Sequence, residues 1–446
     1  MGITHMRVAA GVALGAAVAC ALAACAPGAT EDTGNEPSVA TSGQPGAAPS
    51  VDPSQFAGET LDYLYFTDGP DQQATEDNIK AFEEKYGVTV NLEIMAYADI
   101  VTQVQARLSA GQAPDVARVA NLNDLGEDLL DLTPYLGADY KDQFLPGPVS
   151  AVINSDGEMI AVPSDLTLNG VFVNVDMFKK AGIDIPTEWD WPTLIDDAKK
   201  VKEANGTPYA FIMDKSGSRV STLLSQYDTF VVQGKKNTLD VDKATEALQP
   251  LVDLMKADDM PADFWLGGSS ARYSAGLDYF LNGTVPIYLS GTWQIAGLVK
   301  NATFDWAAVP NPCATNCGGF PGGKFMGAFK ESKNPALAAT FVGFMNEAEQ
   351  QAKFVTIGGA LPTRVDLSAS GVTYPDEDSR AAFDVYLADL VKTPTEGYAA
   401  NGSPVFTNSA NEVVDAVTHA VNGDSDLKTA LTNAKTAIDS DIAAAG

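Results

Sequence analysis

Large apolar side chains are almost absent from residues 26 to about 58, and from there they recur in two rhythms. Leu61-Asp62-Tyr63-Leu64-Tyr65-Phe66 reads as a strand that ends in the turn cluster Thr67-Asp68-Gly69-Pro70. Ile79, Phe82 and Tyr86 then fall on one helical face, with Gly87 as the stop. Val88 to Ile94 alternates as a second strand. Asp99 predicts the N-cap of a helix that carries Ile100, Val104 and Leu108 and stops at Gly111. Asp115 to Val119 follows as a third strand. This βαβαβ opening predicts a parallel sheet with helices on both faces.

The alternation continues. Ala161–Pro163 and Val171–Asn174 read as two strands, and the stretch after Pro192 as a helix with Leu194, Ile195, Ala198 and Val201 inward. Tyr209–Met213 and Val285–Leu289 are further strands. The last third is helical over 335–347, 380–391, 412–421 and 426 to about 443, and no repeat of solenoid period occurs. Open sheets of this kind bind ligands beyond the carboxyl ends of their strands. Asp68, Asn121, Asn123, Asp165, Asp214 and Trp293 stand just after predicted strands and are the first candidates.

Composition narrows the class. The 446 residues carry 58 acidic and 28 basic side chains, a formal charge of −30, and no Lys/Arg cluster, which argues against nucleic-acid binding. After Arg7, Val8 to Ala24 is a short uncharged apolar run of signal-peptide type. It closes in Leu22-Ala23-Ala24-Cys25, which resembles a lipobox. Residues 1–24 are therefore expected to be a lipoprotein signal peptide and Cys25 the lipidated N-terminus. Residues 25–58, rich in Pro, Gly, Ser, Thr and Ala, are expected to tether the lipid to the folded body without folding themselves. Cys313 and Cys317 flank a short Asn-containing loop, which in an oxidising compartment reads as a disulfide, with no His or second Cys pair nearby for a metal.

Catalytic chemistry finds little material. Of the two histidines, His5 lies in the signal, and His419 sits in a terminal helix without an evident partner, a surface or packing residue. No Gly-x-Ser-x-Gly, phosphate-binding loop, His-Glu-x-x-His or EF-hand spacing occurs, and nothing requires a metal or other cofactor. A glycoside hydrolase, which needs only two carboxylates, is the enzyme alternative.

The landmarks in order carry a resemblance. Gly111-Gln112-Ala113-Pro114-Asp115-Val116, Leu129-Leu130-Asp131-Leu132-Thr133, Ala161-Val162-Pro163 and the run from Val171 to Ile183 come first. Pro186–Trp191, Phe280–Trp293, Gly322–Gly327, Pro335–Phe341 and Gly358–Arg364 follow. Together they resemble the extracellular solute-binding proteins of carbohydrate ABC importers, a maltose-binding-protein-like family. The resemblance implies an α/β, two-lobed periplasmic-binding-protein-like fold (type II). Each lobe would be a mostly parallel sheet flanked by helices, with the ligand cleft between them. It implies an N-terminal lobe over 59–165 plus 327–375 and a C-terminal lobe over 168–325 plus 376–446, crossed near 165–168, 325–329 and 365–380. It also implies a monomeric, non-enzymatic receptor on the outer face of the membrane. That receptor would capture a di- or oligosaccharide and deliver it to ABC permease transmembrane subunits.

A sugar presents flat C–H faces and a rim of hydroxyls, so its site needs aromatic platforms and short polar groups. Trp293 matches the family's stacking tryptophan; Trp265, beside Gly267-Gly268, is a second platform candidate. Trp189, Trp191 and Trp306 read as structural. Asp165 and Thr167 stand at the first crossover, with Asn169 a lesser candidate, and Asn121 and Asn123 follow the third strand. Asp68, Arg364 and Gly323, the last through backbone amides of Gly322-Gly323, complete the set; Tyr227 and Asp214 are weaker. Arg118, a charge inside a strand pattern, either points into the cleft or pairs with an acid. The asparagines replace an acid and a base of maltose-binding protein, so its glucan preference does not transfer. A polyamine or peptide is the alternative cargo.

Overall fold

The three opening strands form as β1 (Thr60–Tyr65), β2 (Thr89–Ile94) and β3 (Val116–Val119), pairing in parallel in the order β2-β1-β3. The computed structural model describes residues 52–67, 70–97, 99–120, 122, 125–267 and 275–444. Between β1 and β2 the helix Asp71–Tyr86 buries Ile79, Phe82 and Tyr86 and ends at Gly87. The helix Ile100–Ser109 starts without the expected cap. Asp99 has helical backbone angles, and its side chain makes no capping bond, because a side-chain cap needs an extended backbone at that position.

The two strands expected at 161–163 and 171–174 are the ends of one strand of 13 residues, β4 (Val162–Asn174). Asp165, Thr167 and Asn169 broke the apolar pattern between them. The chain nevertheless stays extended, because Asp165 and Asn169 are satisfied by partners from other elements: Asp165 by Arg118, and Asn169 Nδ2 by Ser218 and Thr222.

The remaining strands are β5 (Phe211–Met213), the small antiparallel pair β6 (Val232–Gln233) and β7 (Lys236–Asn237), β8 (Ile287–Gly291), β9 (Trp306–Val309) and β10 (Pro321–Ala328). The main sheet runs β2-β1-β3-β10-β4-β8-β5, with β9 also on β4. Parallel pairing holds β2-β1-β3 and β5-β8. β4 pairs antiparallel with β8, β9 and β10.

Two hydrophobic cores lie along this sheet. The first gathers Tyr63, Phe82, Phe341 and Phe344; the second gathers Phe172, Phe211, Tyr288 and Tyr386. A fully buried ring of this kind contributes roughly 1.5–3 kcal/mol. The two lobes share a strand pair: Val162 of β4 packs in the first core and Leu166 to Val173 in the second, while Phe325 and Met326 of β10 pack in the first and Phe320 just before it in the second. Leu361 and Tyr374 also belong to the second core.

Cys313 and Cys317 are joined in a disulfide. The loop is pinned to the second lobe where the Cys313 N–H donates to Trp189 O (2.9 Å) and the Asn316 N–H to Gln226 O (2.8 Å). Trp189 and Trp191 are buried, each donating its indole N–H, to Pro310 O and Gln226 Oε1. Among the described residues no helix is long and apolar enough to cross a membrane.

Candidate functional site

β4 and β10 place polar side chains where the two cores meet. Lys324 stands opposite Asp165 in their register and Gly322 opposite Thr167, with a bulge between Lys324 and Phe325. A cavity opens at this point. One wall carries Asp71, Arg118, Asp165 and Lys324; the other carries Thr167, Thr292, Trp293 and Ala296; Phe354 and Gly358 to Ala360 flank them. Its volume is about 30 Å³.

The first wall is a buried charge network. Arg118 Nη2 donates to Asp165 (2.9 Å), and Nη1 to Asp71 (3.1 Å) and to Phe66 O (2.7 Å). Lys324 Nζ lies 3.9 Å from the other oxygen of Asp165. Asp71 also accepts from the hydroxyls of Tyr65 and Thr67. Burial pushes the Tyr65 hydroxyl far above the usual tyrosine range, so it remains a donor. The guanidinium lies among three rings, its carbon 4.7 Å from the centre of Phe66, 5.1 Å from Tyr65 and 5.3 Å from Phe354. Among the described residues this wall sets two carboxylates against two cations. Arg118 thus does both things its position in a strand pattern allowed: it lines the cavity and it pairs with acids.

The second wall is built around an indole. Trp293 follows β8 in a short turn of 3-10 helix, Thr292–Gln294, and is half-buried. A Cβ on Gly291 would fall 2.1 Å from the ring and 2.7 Å from Leu168 O, so only glycine lets the indole lie against its own strand. On one face of the ring sits the Arg219 guanidinium, 4.2 Å from the centroid. Arg219 comes from the helix Gly217–Gln226, whose N-cap is Ser216, and pairs with Asp214 at 3.2 Å. Asp214 is fully buried and also accepts from Tyr288 (2.8 Å), Ser290 (2.6 Å) and the Gly276 N–H (2.7 Å).

This geometry, with its fold, meets a known family. Residues 78–379 match the family described as bacterial extracellular solute-binding protein. The chain belongs to that family. It is a binding protein, not an enzyme. The arabinooligosaccharide-binding protein of Bacillus subtilis is 24% identical over 333 residues, 70% of this chain and 76% of the relative. The sn-glycerol-3-phosphate-binding periplasmic protein of Rhizobium meliloti is 25% identical over 330 residues, 68% and 73% of the two chains. The crystal structure of the cyclic alpha-maltosyl-1,6-maltose binding protein from Arthrobacter globiformis superposes with a TM-score of 0.73 at 17% identity, covering 86% of this chain and 99% of that one. The solute-binding protein therefore has the maltose-binding-protein-like mixed α/β fold.

Of the candidates read from its sequence, the solute-binding protein brings Trp293, Asp165 and Thr167 together at the cavity. Asp68, Asn121, Asn123 and Cys25 lie outside the described residues. Trp265 is corrected: it is fully buried in the second core, and its indole N–H donates to Thr418 at 3.0 Å, so no face of it reaches the cleft. Arg364 is likewise a clip within the first lobe, bonded to Asp366, Gln143 and Asn346 O. Gly323 does not line the cavity. A Cβ there would meet Asp165 O at 2.8 Å, so the residue serves the close approach of β10 to β4. Asn169 is buried in bonds to Ser218 and Thr222. His419 is an exposed partner of Asp424.

Sequence reasoning missed Asp71, Lys324, Phe354 and Arg219. Asp71 had a signal, since it stands directly after the turn cluster that holds Asp68, at the start of the first helix. Arg219 had none: Val220, Leu223 and Leu224 mark one apolar face of the helix that carries it, but nothing local places its guanidinium on a ring 74 positions away. Tyr97, exposed after β2 and packed edge-on against Phe66, is the aromatic at a strand end that the same rule should have found.

Proposed function

We propose that this protein is the substrate-binding lipoprotein of an ABC importer. In this reading it captures a neutral carbohydrate, a di- or oligosaccharide, in the cleft between its lobes and hands it to the membrane permease, held at the outer face by lipid on Cys25. The observation that carries the reading is the pairing of a charge-matched polar wall with an indole. Among the described residues Asp71 and Asp165 are already matched by Arg118 and Lys324, so neither of these carboxylates waits unpaired for a polyamine. The same matching leaves neither Arg118 nor Lys324 uncompensated for a phosphate-bearing solute. Thr167 and Thr292 supply hydroxyls that both donate and accept, and Trp293 supplies the platform for C–H faces. The arabinooligosaccharide-binding and cyclic maltosyl-maltose-binding relatives support the sugar assignment.

A thermal-shift screen of the purified protein tests it, with maltotriose, arabinotriose, cellobiose, spermidine, sn-glycerol 3-phosphate and a tripeptide as probes. A solute at a hundred times its dissociation constant stabilises the fold by about 2.7 kcal/mol. A rise with neutral oligosaccharides supports the reading. A rise with spermidine or sn-glycerol 3-phosphate alone would replace the cargo and keep the fold.

A further inference from the structure

The rear of Trp293 is taken. Arg219 covers one face of the indole at 4.2 Å and is itself only 7% exposed; it does not line the cavity, whereas Trp293 does. The guanidinium therefore stands behind the ring as seen from the cleft. Its own anchor is rigid. Asp214, at the end of β5, receives four donors, from Arg219, Tyr288, Ser290 and Gly276. Burial raises the Tyr288 hydroxyl well above the tyrosine range, so that donor persists across the pH range of the protein. The missing Cβ of Gly291 lets the ring edge rest on β8. Face and edge of the indole are thus both clamped.

A ring in this position has a changed chemistry. The negative quadrupole of an indole attracts one cation well. With a guanidinium on its other face, the ring's quadrupole is already engaged, so a second cation arriving from the cleft is held less well than by a bare indole, while a neutral C–H face is unaffected. We infer that Arg219, anchored by Asp214, is a positioning residue that fixes the plane of Trp293 and weakens the hold of its cleft face on cations. The inference rests on the reading of Trp293 as the platform of the cleft, and it deepens that reading by making the platform selective for uncharged solutes.

The test needs no solute. Stern–Volmer quenching of indole emission is measured with acrylamide, which is neutral, and with caesium ion, which is cationic. Subtracting a Trp293→Phe variant isolates the contribution of Trp293. In the wild-type protein, caesium quenches that contribution poorly relative to acrylamide. In Arg219→Met the caesium-to-acrylamide ratio rises by about twofold or more as the guanidinium leaves the ring. Arg219→Lys keeps the low ratio, because the charge stays. Its Trp293-dependent near-UV circular dichroism weakens, because the planar stack is lost. Arg219→Gln, neutral and planar, takes the place of the methionine variant should that one fail to fold. An unchanged quenching ratio in the neutral variants, with far-UV spectra intact, overturns the inference. The cleft reading fails separately, if Trp293→Ala leaves solute affinity unaltered.

Discussion

The two walls of the cleft solve one problem in opposite ways. Each buries an arginine against aromatic rings and holds it with aspartate. In the first wall the arginine faces the cavity: Arg118 is shared by Asp71 and Asp165, with Lys324 on the far side of Asp165. In the second wall the arginine stands behind, and Trp293 is what the cavity sees. Charge in front must be matched charge for charge, because an unpaired ion in a water-poor cleft is costly. Charge behind acts only through the ring that covers it. One wall is thus built to be rigid and charge-matched, the other to present a flat apolar face of fixed orientation.

Removing the shared cation of the first wall is expected to have the largest effect. Arg118→Met leaves two buried carboxylates facing each other, and urea unfolding should show a loss of about 3–5 kcal/mol. A loss near zero would mean that the acids are solvated or protonated and that the wall is not the rigid member of the pair. Next comes Gly291→Ala. Its new methyl group is placed inside the indole and against Leu168 O, so the ring must leave its clamp. Stability should fall by about 1–3 kcal/mol, and the Trp293 near-UV band should change with it.

Trp293→Ala sharpens the comparison from the other side. Solute affinity measured by calorimetry should drop more than about tenfold, equal to some 1.4 kcal/mol, with the melting temperature nearly unchanged, because the ring is only half-buried. The smallest expected effect on binding belongs to Trp265→Phe. That change loses one hydrogen bond to Thr418, about 1 kcal/mol of stability, and leaves solute affinity where it was. Any fall in affinity there would return Trp265 to the site.

Much of the architecture was legible because its cause is local. The helix ending at Gly87 and the strands at 60–65, 89–94 and 116–119 follow from side-chain period and turn residues, and they formed where the period placed them. The helix Trp191–Asn205 starts at the Asp190 cap and buries Leu194, Ala198 and Val201 as the 3.6-residue rhythm requires. The site was legible only in part. Trp293 and Asp165 stand at strand ends or at a crossover, where position alone raises suspicion. Trp265 and Arg364 looked the same in one dimension. An aromatic before a glycine pair and an arginine closing the Gly358–Arg364 stretch have the same sequence signature whether they face a cleft or a core.

What the chain determined by itself was the opening strands and helices and the parallel start of the sheet, since these depend on residues close together in sequence. The tertiary structure alone decided that 161–174 is one strand rather than two. It also decided that Asp71, Arg118, Asp165 and Lys324 form one network, and that Arg219 backs Trp293. Those facts join residues 47 to 159 positions apart in the chain, as with Asp71 to Arg118 and Asp165 to Lys324. Buried charge is tolerated only where a partner meets it, and the partner's position is set by the packing of two cores against a shared pair of strands, which no local pattern encodes.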